Sequence, residues 1–294
     1  MTKIAFIGLG TMGLPMAQVL RDAGFDVLGM DVTAAARDRF EGAVAPDPAR
    51  LDDREVVITM LPEGRHVSEV HAQVVRPGAR SGTLLIDCST IDVETARALA
   101  AEAVAAGFAM LDAPVSGGPA GAASGNLSFM VGGPETAFGR ADPLFRTMGA
   151  KVAHFGPAGA GQAAKACHNM ICGITAMAVV EGFALADAMA LDLHKFHALC
   201  AGAAAQSWTL ENRCPIPGVV ADAPSSNGFA PGFAAALMAK DLRLAQAAAK
   251  ASGQSTPFGA EAARAFTEFA ERDGALDFSA IYRTLRALPP EGQD

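Results

Sequence analysis

The sequence predicts an open, doubly wound α/β sheet followed by an all-α C-terminal domain that is entered by a long helix. Three observations carry this expectation. An apolar run at residues 3–8 passes straight into a glycine-rich turn and then into a helical pattern at 12–23. Further short apolar runs alternate with helix-like stretches as far as Phe155. After Gly161 the strand signal almost vanishes, and the chain becomes Ala-rich at helical spacing.

The runs at 3–8, 26–31, 56–61 and 83–89 lack regular polar alternation. That pattern belongs to strands buried on both faces of a parallel sheet. The runs at 109–115, 127–131 and 151–155 add further strands. Residues 162–189 contain no Pro and are rich in helix formers. At about 1.5 Å per residue, such a helix extends roughly 40 Å. Gly159 and Gly161 flank Ala160 at the change of character, so two domains are expected, 1–161 and 162–294. Within the second, Pro215, Pro217, Pro224 and Pro231 punctuate a loop, and 234–249 reads as a mostly apolar helix.

Composition bounds the function. Of 294 residues, 51% are hydrophobic and 18% charged, which supports a large core and argues against disorder. The net charge of −8, with no Lys/Arg cluster, argues against nucleic acid as a partner. No apolar run reaches the roughly 18 residues of a membrane span. The nearest approach, 170–189, is interrupted by Glu181 and Asp187. No secretion signal is read at the start, so a cytoplasmic protein without membrane contact is expected. The five cysteines (88, 167, 172, 200 and 214) form no CxxC pair and read as reduced, mostly buried small side chains. The histidines show no ligand spacing, so no metal is expected.

The glycine-rich turn is Gly8-Leu9-Gly10-Thr11-Met12-Gly13, a GxGxxG between strand and helix. In that context the first Gly allows a tight turn, the second lets the backbone approach a pyrophosphate, and the third lets helix and strand pack closely. The helix N-terminus offers unpaired N–H groups and positive dipole to the phosphates. Asp31 ends the second strand, where a carboxylate accepts the ribose hydroxyls of NAD and repels the additional phosphate of NADP. A Rossmann-type domain binding NAD follows. Arg37 and Arg39, a few residues on, are the groups that would serve NADP instead.

Four further segments are candidates for chemistry. Asp112-Ala-Pro-Val-Ser116-Gly117-Gly118, followed by Gly121 and Gly125, places a hydroxyl beside two bare glycine amides, a cradle for a substrate carboxylate or simply a tight turn. In Gly159-Ala-Gly161-Gln-Ala-Ala-Lys165-Ala-Cys-His-Asn169, Lys165 and Asn169 share one helix face near the domain junction. A Lys in a cleft can lose its proton and act as an acid/base, with Asn169 holding the alcohol oxygen or orienting the Lys; the plainer alternative is a solvated Lys. His168 lies on another part of that helix and reads as structural. Lys240-Asp241-Leu242 offers either a cation for substrate or cofactor, or a surface ion pair. Leu61-Pro62 and Ser89-Thr90 follow strands at the carboxyl edge of the sheet, where ligands bind; Leu61, Pro62 and Thr90 are candidate cofactor contacts.

Together these residues resemble the β-hydroxyacid dehydrogenase family over nearly the whole chain. Its nucleotide motif matches Gly8 to Gly13, its substrate motif Asp112 to Gly125, its GxGxxxKxxxN motif Gly159 to Asn169, and its KDL motif Lys240 to Leu242. Further segments, Leu85-Ile-Asp-Cys-Ser-Thr-Ile91, Pro217-Gly-Val-Val220, Ser226-Asn-Gly-Phe229 with Gly232-Phe233, and Gln254-Ser-Thr-Pro257, are most similar to the bacterial branch acting on 3-hydroxyisobutyrate in valine breakdown.

The resemblance implies an NAD-dependent oxidation of a short 3-hydroxy acid. Lys165 would be the essential residue and Asn169 its support. Ser116, Gly117, Gly118 and Lys240 would bind substrate, Trp208 and Phe233 would face the pocket, and Leu61, Pro62, Thr90 and Lys240 would line the cofactor site. Tartronate or succinate semialdehyde reductases of the same family, and a non-catalytic NAD-binding module, are the competing expectations. The Ala-rich helices point to a homodimer or homotetramer.

Overall fold

The computed structural model describes residues 1–45 and 51–285. The last nine residues of the expected second domain, 286–294, therefore lie outside the described residues. The chain divides into two compact units, Met1–Lys165 and Ala166–Asp294.

The first unit contains, in order, β1 (Lys3–Ile7), α1 (Gly13–Asp22), β2 (Asp26–Met30), α2 (Ala34–Arg37), β3 (Ala43–Val44) and β4 (Val56–Thr59). Next comes α3 (Gly64–Val70), which runs through a π-helical turn (His71–Val75) into α4 (Arg76–Gly78). Then follow β5 (Leu84–Asp87), α5 (Val93–Ala105), β6 (Ala109–Asp112), β7 (Val115–Ser116), α6 (Gly118–Ala123), β8 (Leu127–Gly132), α7 (Glu135–Met148) and β9 (Gly149–Gly156). The sheet order is β3-β2-β1-β4-β5-β6-β8-β7, with β9 on β8. The first six strands in that order are parallel. The fold is thus the doubly wound sheet expected, with its chain reversal between β1 and β4, where open α/β sheets bind ligands.

Alternate residues of each strand feed opposite faces. Ile4 and Phe6 pack with Leu14, Met16 and Leu20 of α1 and with Leu144 and Phe145 of α7. Ala5 and Ile7 face the other way, with Val67 of α3 and Ala96, Leu99 and Ala103 of α5. Burial on both faces explains the unbroken apolar runs.

Two expectations need correction here. The run at 109–115 is not one strand: it divides at Ala113-Pro114 into β6 and β7, because Pro114 has no N–H to give a ladder. The chain then enters β8 antiparallel to both. The expectation that no segment reaches membrane length also fails. Helix α8 (Ala160–Ala188) is long and apolar enough for that by length and composition alone, because Ala, Met and Val outweigh its few charges. Its Ala176, Val180 and Phe183 instead pack in the core of the second unit.

The second unit holds the remainder of α8, then α9 (Leu193–Ala201), α10 (Trp208–Arg213), a 3-10 turn (Pro224–Asn227), α11 (Ala235–Ser252), α12 (Pro257–Asp273), a second 3-10 turn (Phe278–Ile281) and α13 (Tyr282–Leu285). Among the described residues it contains no strand, only an isolated bridge between Ala234 and Asp277. Met238 and Leu242 of α11 and Phe266 and Phe269 of α12 meet α8 in one core. Each such buried side chain contributes about 1.5–3 kcal/mol. A Cβ on Gly173 would lie 2.8 Å from a Leu242 methyl, so a glycine there lets α8 and α11 approach closely.

Candidate active site

In the first unit, the glycine turn is pressed between the ends of β1, β2 and β4. The Gly8 N–H donates to the Met30 carbonyl at 2.8 Å, and the Met60 N–H donates to Ile7 at 2.9 Å. Gly8 has φ +99°, and a Cβ on it would stand 2.3 Å from the Met60 oxygen. At Gly13 a Cβ would stand 1.9 Å from the Gly8 oxygen. Gly10 differs, with no atom from beyond its own chain neighbours within 4 Å of its absent Cβ. That open side is a cradle that a side chain would fill, and Thr11 and Met12 lead from it into α1. The first N–H groups of a helix have no partner within it. The turn therefore fits a dinucleotide pyrophosphate.

Asp31 closes the cradle. One carboxylate oxygen accepts the Leu9 N–H at 2.9 Å, and the other accepts the Thr33 N–H at 2.9 Å and hydroxyl at 2.7 Å. Partial burial works to raise its pKa, but these bonds, with Arg37 nearby, outweigh it and hold the group below the usual carboxylate value. Asp31 is therefore an anion at neutral pH, suited to ribose hydroxyls. Arg37 donates to the Asp31 backbone oxygen at 2.6 Å.

The remaining cofactor candidates lie at the ends of β4 and β5. The Leu61 N–H, beside Pro62, donates to the Ser89 hydroxyl at 2.8 Å, and that hydroxyl donates to Asp87 at 2.6 Å. Thr59 also donates to Asp87 at 2.8 Å. Burial pushes the Asp87 carboxyl up to about 6, against the hydrogen bonds from Ser89 and Thr59. Thr90 is flanked by two bonds from Gln162, which donates to the Ser89 carbonyl at 2.7 Å and accepts from the Ile91 N–H at 3.1 Å.

Ser116 ends β7, and the turn after it takes φ +132° at Gly117 and +64° at Gly118, conformations that suit glycine. Lys165 is only 7% exposed. Its ammonium donates to the Val115 carbonyl at 2.8 Å, one residue before Ser116. The structure thus brings Lys165 to the Ser116 loop.

In the second unit Asn169, four residues beyond Lys165 on α8, is 2% exposed. Its amide donates to Asp241, and its oxygen pairs with His168 Nδ1 at 2.8 Å. Asp241 in turn lies 3.5 Å from the Lys240 ammonium. Asn169 and Asp241 therefore form one buried polar group, with the half-buried Lys240 beside it. Phe233 packs edge-on against Phe278, and its N–H donates to the fully buried Asp277 at 3.0 Å. Trp208 is 55% exposed and lies beneath the Arg213 guanidinium, 4.9 Å from ring to carbon. Among the described residues, no three His, Cys, Asp or Glu side chains form a metal-holding group.

Sequence reasoning assigned no role to Asp87, Gln162, Asp241 or Asp277. The signal available was a polar residue inside or bordering an apolar run, as in Leu84-Leu-Ile-Asp87, where burial demands partners.

Residues 3–156 match the family described as the NAD binding domain of 6-phosphogluconate dehydrogenase. Residues 159–285 match that described as NAD-binding of NADP-dependent 3-hydroxyisobutyrate dehydrogenase. The chain is 45% identical to a probable 3-hydroxyisobutyrate dehydrogenase of Mycobacterium bovis, over 98% of this chain and 99% of that one. It is 42% identical to an NAD-dependent L-serine dehydrogenase of Pseudomonas aeruginosa, over 100% of both. The solved structure of Mycobacterium tuberculosis 3-hydroxyisobutyrate dehydrogenase with L-serine matches with a TM-score of 0.93 at 44% identity, covering 98% of this chain and 100% of that one. With an NAD-binding domain built on its GxGxxG turn and relatives matched over essentially their full length, the chain belongs to the β-hydroxyacid dehydrogenase family of oxidoreductases.

Proposed function

We propose that this protein oxidises 3-hydroxyisobutyrate to methylmalonate semialdehyde with NAD, as a step of valine breakdown, with Lys165 as the acid/base. The observation that carries the reading is the buried Lys165 ammonium held 2.8 Å from the Val115 carbonyl, beside the Ser116 turn. Bound NAD supplies the acceptor for the hydride that leaves the alcohol carbon. Lys165, as the neutral amine, takes the hydroxyl proton as the carbonyl forms and becomes the ammonium, which returns the proton in the reverse direction. Ser116 and the amides of Gly117 and Gly118 receive the substrate carboxylate, with Lys240 as a supporting cation. Asn169, its amide turned by Asp241 and His168, orients the reacting oxygen. Trp208 and Phe233 are proposed to border the substrate side chain. Asp31, an anion by its hydrogen bonds, favours NAD over NADP.

A second substrate, L-serine, is favoured by the named activity of the Pseudomonas relative and by the L-serine in the Mycobacterium structure. L-serine presents the same carboxylate and 3-hydroxyl, with an ammonium where 3-hydroxyisobutyrate has a methyl. Support for a homodimer or homotetramer comes from Ile171 and Leu185 of α8, 64% and 62% exposed. The protein is proposed to be cytoplasmic.

Steady-state kinetics on both acids, each with NAD and NADP, tests this reading. The expected result is a higher kcat/KM for 3-hydroxyisobutyrate with NAD; a higher value for L-serine overturns the substrate assignment. Lys165→Ala is expected to lower kcat by about 10²–10⁴-fold while NAD still binds. Retained turnover in that variant overturns the mechanism.

A further inference from the structure

We infer that Asp112 and Gln162 are positioning residues for Lys165. They clamp the first turn of α8 to the ends of β5 and β6, and so hold the Lys165 ammonium at the Ser116 loop. The inference rests on the reading of Lys165 as the acid/base.

Asp112 is the last residue of β6 and is 3% exposed. One of its oxygens accepts the Gly159 N–H at 2.7 Å, and the other accepts the Gln162 N–H at 2.9 Å. A helix N-terminus leaves such donors without intrahelical partners. They are usually met by a side chain just before the helix. Here the task falls to a strand residue far back in the chain, which fastens the helix to the sheet. Gln162, 1% exposed, fastens it a second time, through the Ser89 carbonyl and the Ile91 N–H.

Three residues beyond Gln162, Lys165 meets Val115; three residues beyond Asp112 is that same Val115. The two segments are therefore joined at matching points. The spacer between Asp112 and Val115 is stiff. Pro114 has a fixed φ and restricts Ala113. The Ala113 N–H donates to the Asp87 carbonyl at 2.7 Å, and the Pro114 carbonyl accepts the Met130 N–H at 3.0 Å. Val115 pairs with Phe129 of β8. A carbonyl held in this way gives the Lys165 ammonium a fixed address.

The glycines agree. A Cβ on Gly161 would stand 2.4 Å from the Met130 oxygen and 2.5 Å from the Asp112 backbone oxygen. One on Gly132 would stand 2.6 Å from an Asp112 carboxylate oxygen and 2.7 Å from the Gly161 nitrogen. Both positions lack a side chain where the carboxylate must reach backbone amides. This accounts for the second glycine of the GxGxxxKxxxN segment.

The test uses Asp112→Asn, which preserves volume but cannot accept from both N–H groups, and Gln162→Met, which preserves length but loses both side-chain bonds. For each full-length variant, and for Lys165→Ala, kcat, KM, NAD affinity and melting temperature are measured with the better of 3-hydroxyisobutyrate and L-serine. The expected result is a kcat lowered about 10²-fold, as for a reacting group misplaced by ~1 Å, with NAD affinity changed less than about threefold. If Lys165→Ala is inactive but both clamp variants keep kcat within about threefold of wild type, the clamp is refuted while the role of Lys165 stands. If Lys165→Ala retains turnover, the underlying mechanism fails first. Loss of NAD binding in proportion to kcat, or failure of both variants to fold, assigns the two residues to the fold alone and overturns the proposal.

Discussion

His71 makes a sharp prediction about acid stability. It sits in the π-helical turn of the first unit, 2% exposed, with its Nε2 among the buried atoms lacking a hydrogen-bond partner. Burial, followed by the nearby Arg76 guanidinium, draws its pKa from 6.5 down to about 4, with Glu102 opposing in part. The unfolded chain therefore takes up this proton near pH 6.5, and the native chain only near pH 4. The stability associated with neutral His71 is fully present above pH 6.5 and is lost as pH falls toward 4. Across that interval the loss amounts to about 3 kcal/mol.

Asp87 works in the opposite sense. Its folded carboxyl, at about 6 against an ordinary 3.8, takes up a proton before the unfolded one does. The native state thus gains ~3 kcal/mol as pH falls through the same range. The two effects nearly cancel in the wild type. His71→Leu removes one of them without leaving an orphaned ring nitrogen. Urea unfolding followed by circular dichroism, between about pH 7 and about pH 4.5, reads the difference. The variant is expected to gain ~2–3 kcal/mol on wild type as the solution is acidified. A difference that stays constant with pH refutes the reasoning.

Two further predictions concern the cofactor. Asp31→Ala is expected to shift the ratio of kcat/KM for NADP over NAD by about tenfold or more toward NADP, because it removes an anion and leaves Arg37 beside the site; an unchanged ratio means that Asp31 does not read the ribose. Gly10→Ala is expected to weaken NAD at least about tenfold with an unchanged melting temperature, since its Cβ meets no atom from beyond its own chain neighbours within 4 Å. Gly8→Ala, whose Cβ would meet a backbone oxygen at 2.3 Å, should lower both, and equal effects from the two would refute the assignment of Gly10 to the ligand.

Much of the fold was legible in the sequence, for a physical reason. Strands covered on both faces must be apolar throughout, so β1, β2, β4 and β5 showed as unbroken runs at 3–8, 26–31, 56–61 and 83–89. β3 was not legible: it is two exposed residues at the sheet edge, with no burial to impress a pattern. The division of β6 from β7 hung on Pro114 and on a partner strand more than ten residues away. On the candidate site, Gly8, Gly10, Gly13 and Lys165 could be read from spacing, because local backbone geometry and helix periodicity act over a few residues.

The sequence by itself determined the doubly wound sheet, the long helix after Gly161, the dinucleotide turn and the candidacy of Lys165 and Asn169, all properties of short segments. Only the tertiary structure decided what holds them. Asp31 was expected at the ribose, and folding also makes it a brace for the Leu9 amide. Asp112 opened a motif without a stated task, and folding sets its carboxylate on the amides of Gly159 and Gln162. Asp241 was the middle letter of Lys240-Asp241-Leu242, and folding makes it the partner of Asn169. These partners are tens of residues apart in the chain. A buried carboxylate needs donors whose identity is set by which strand ends and helix turns meet in space, and that information exists only once the chain has folded.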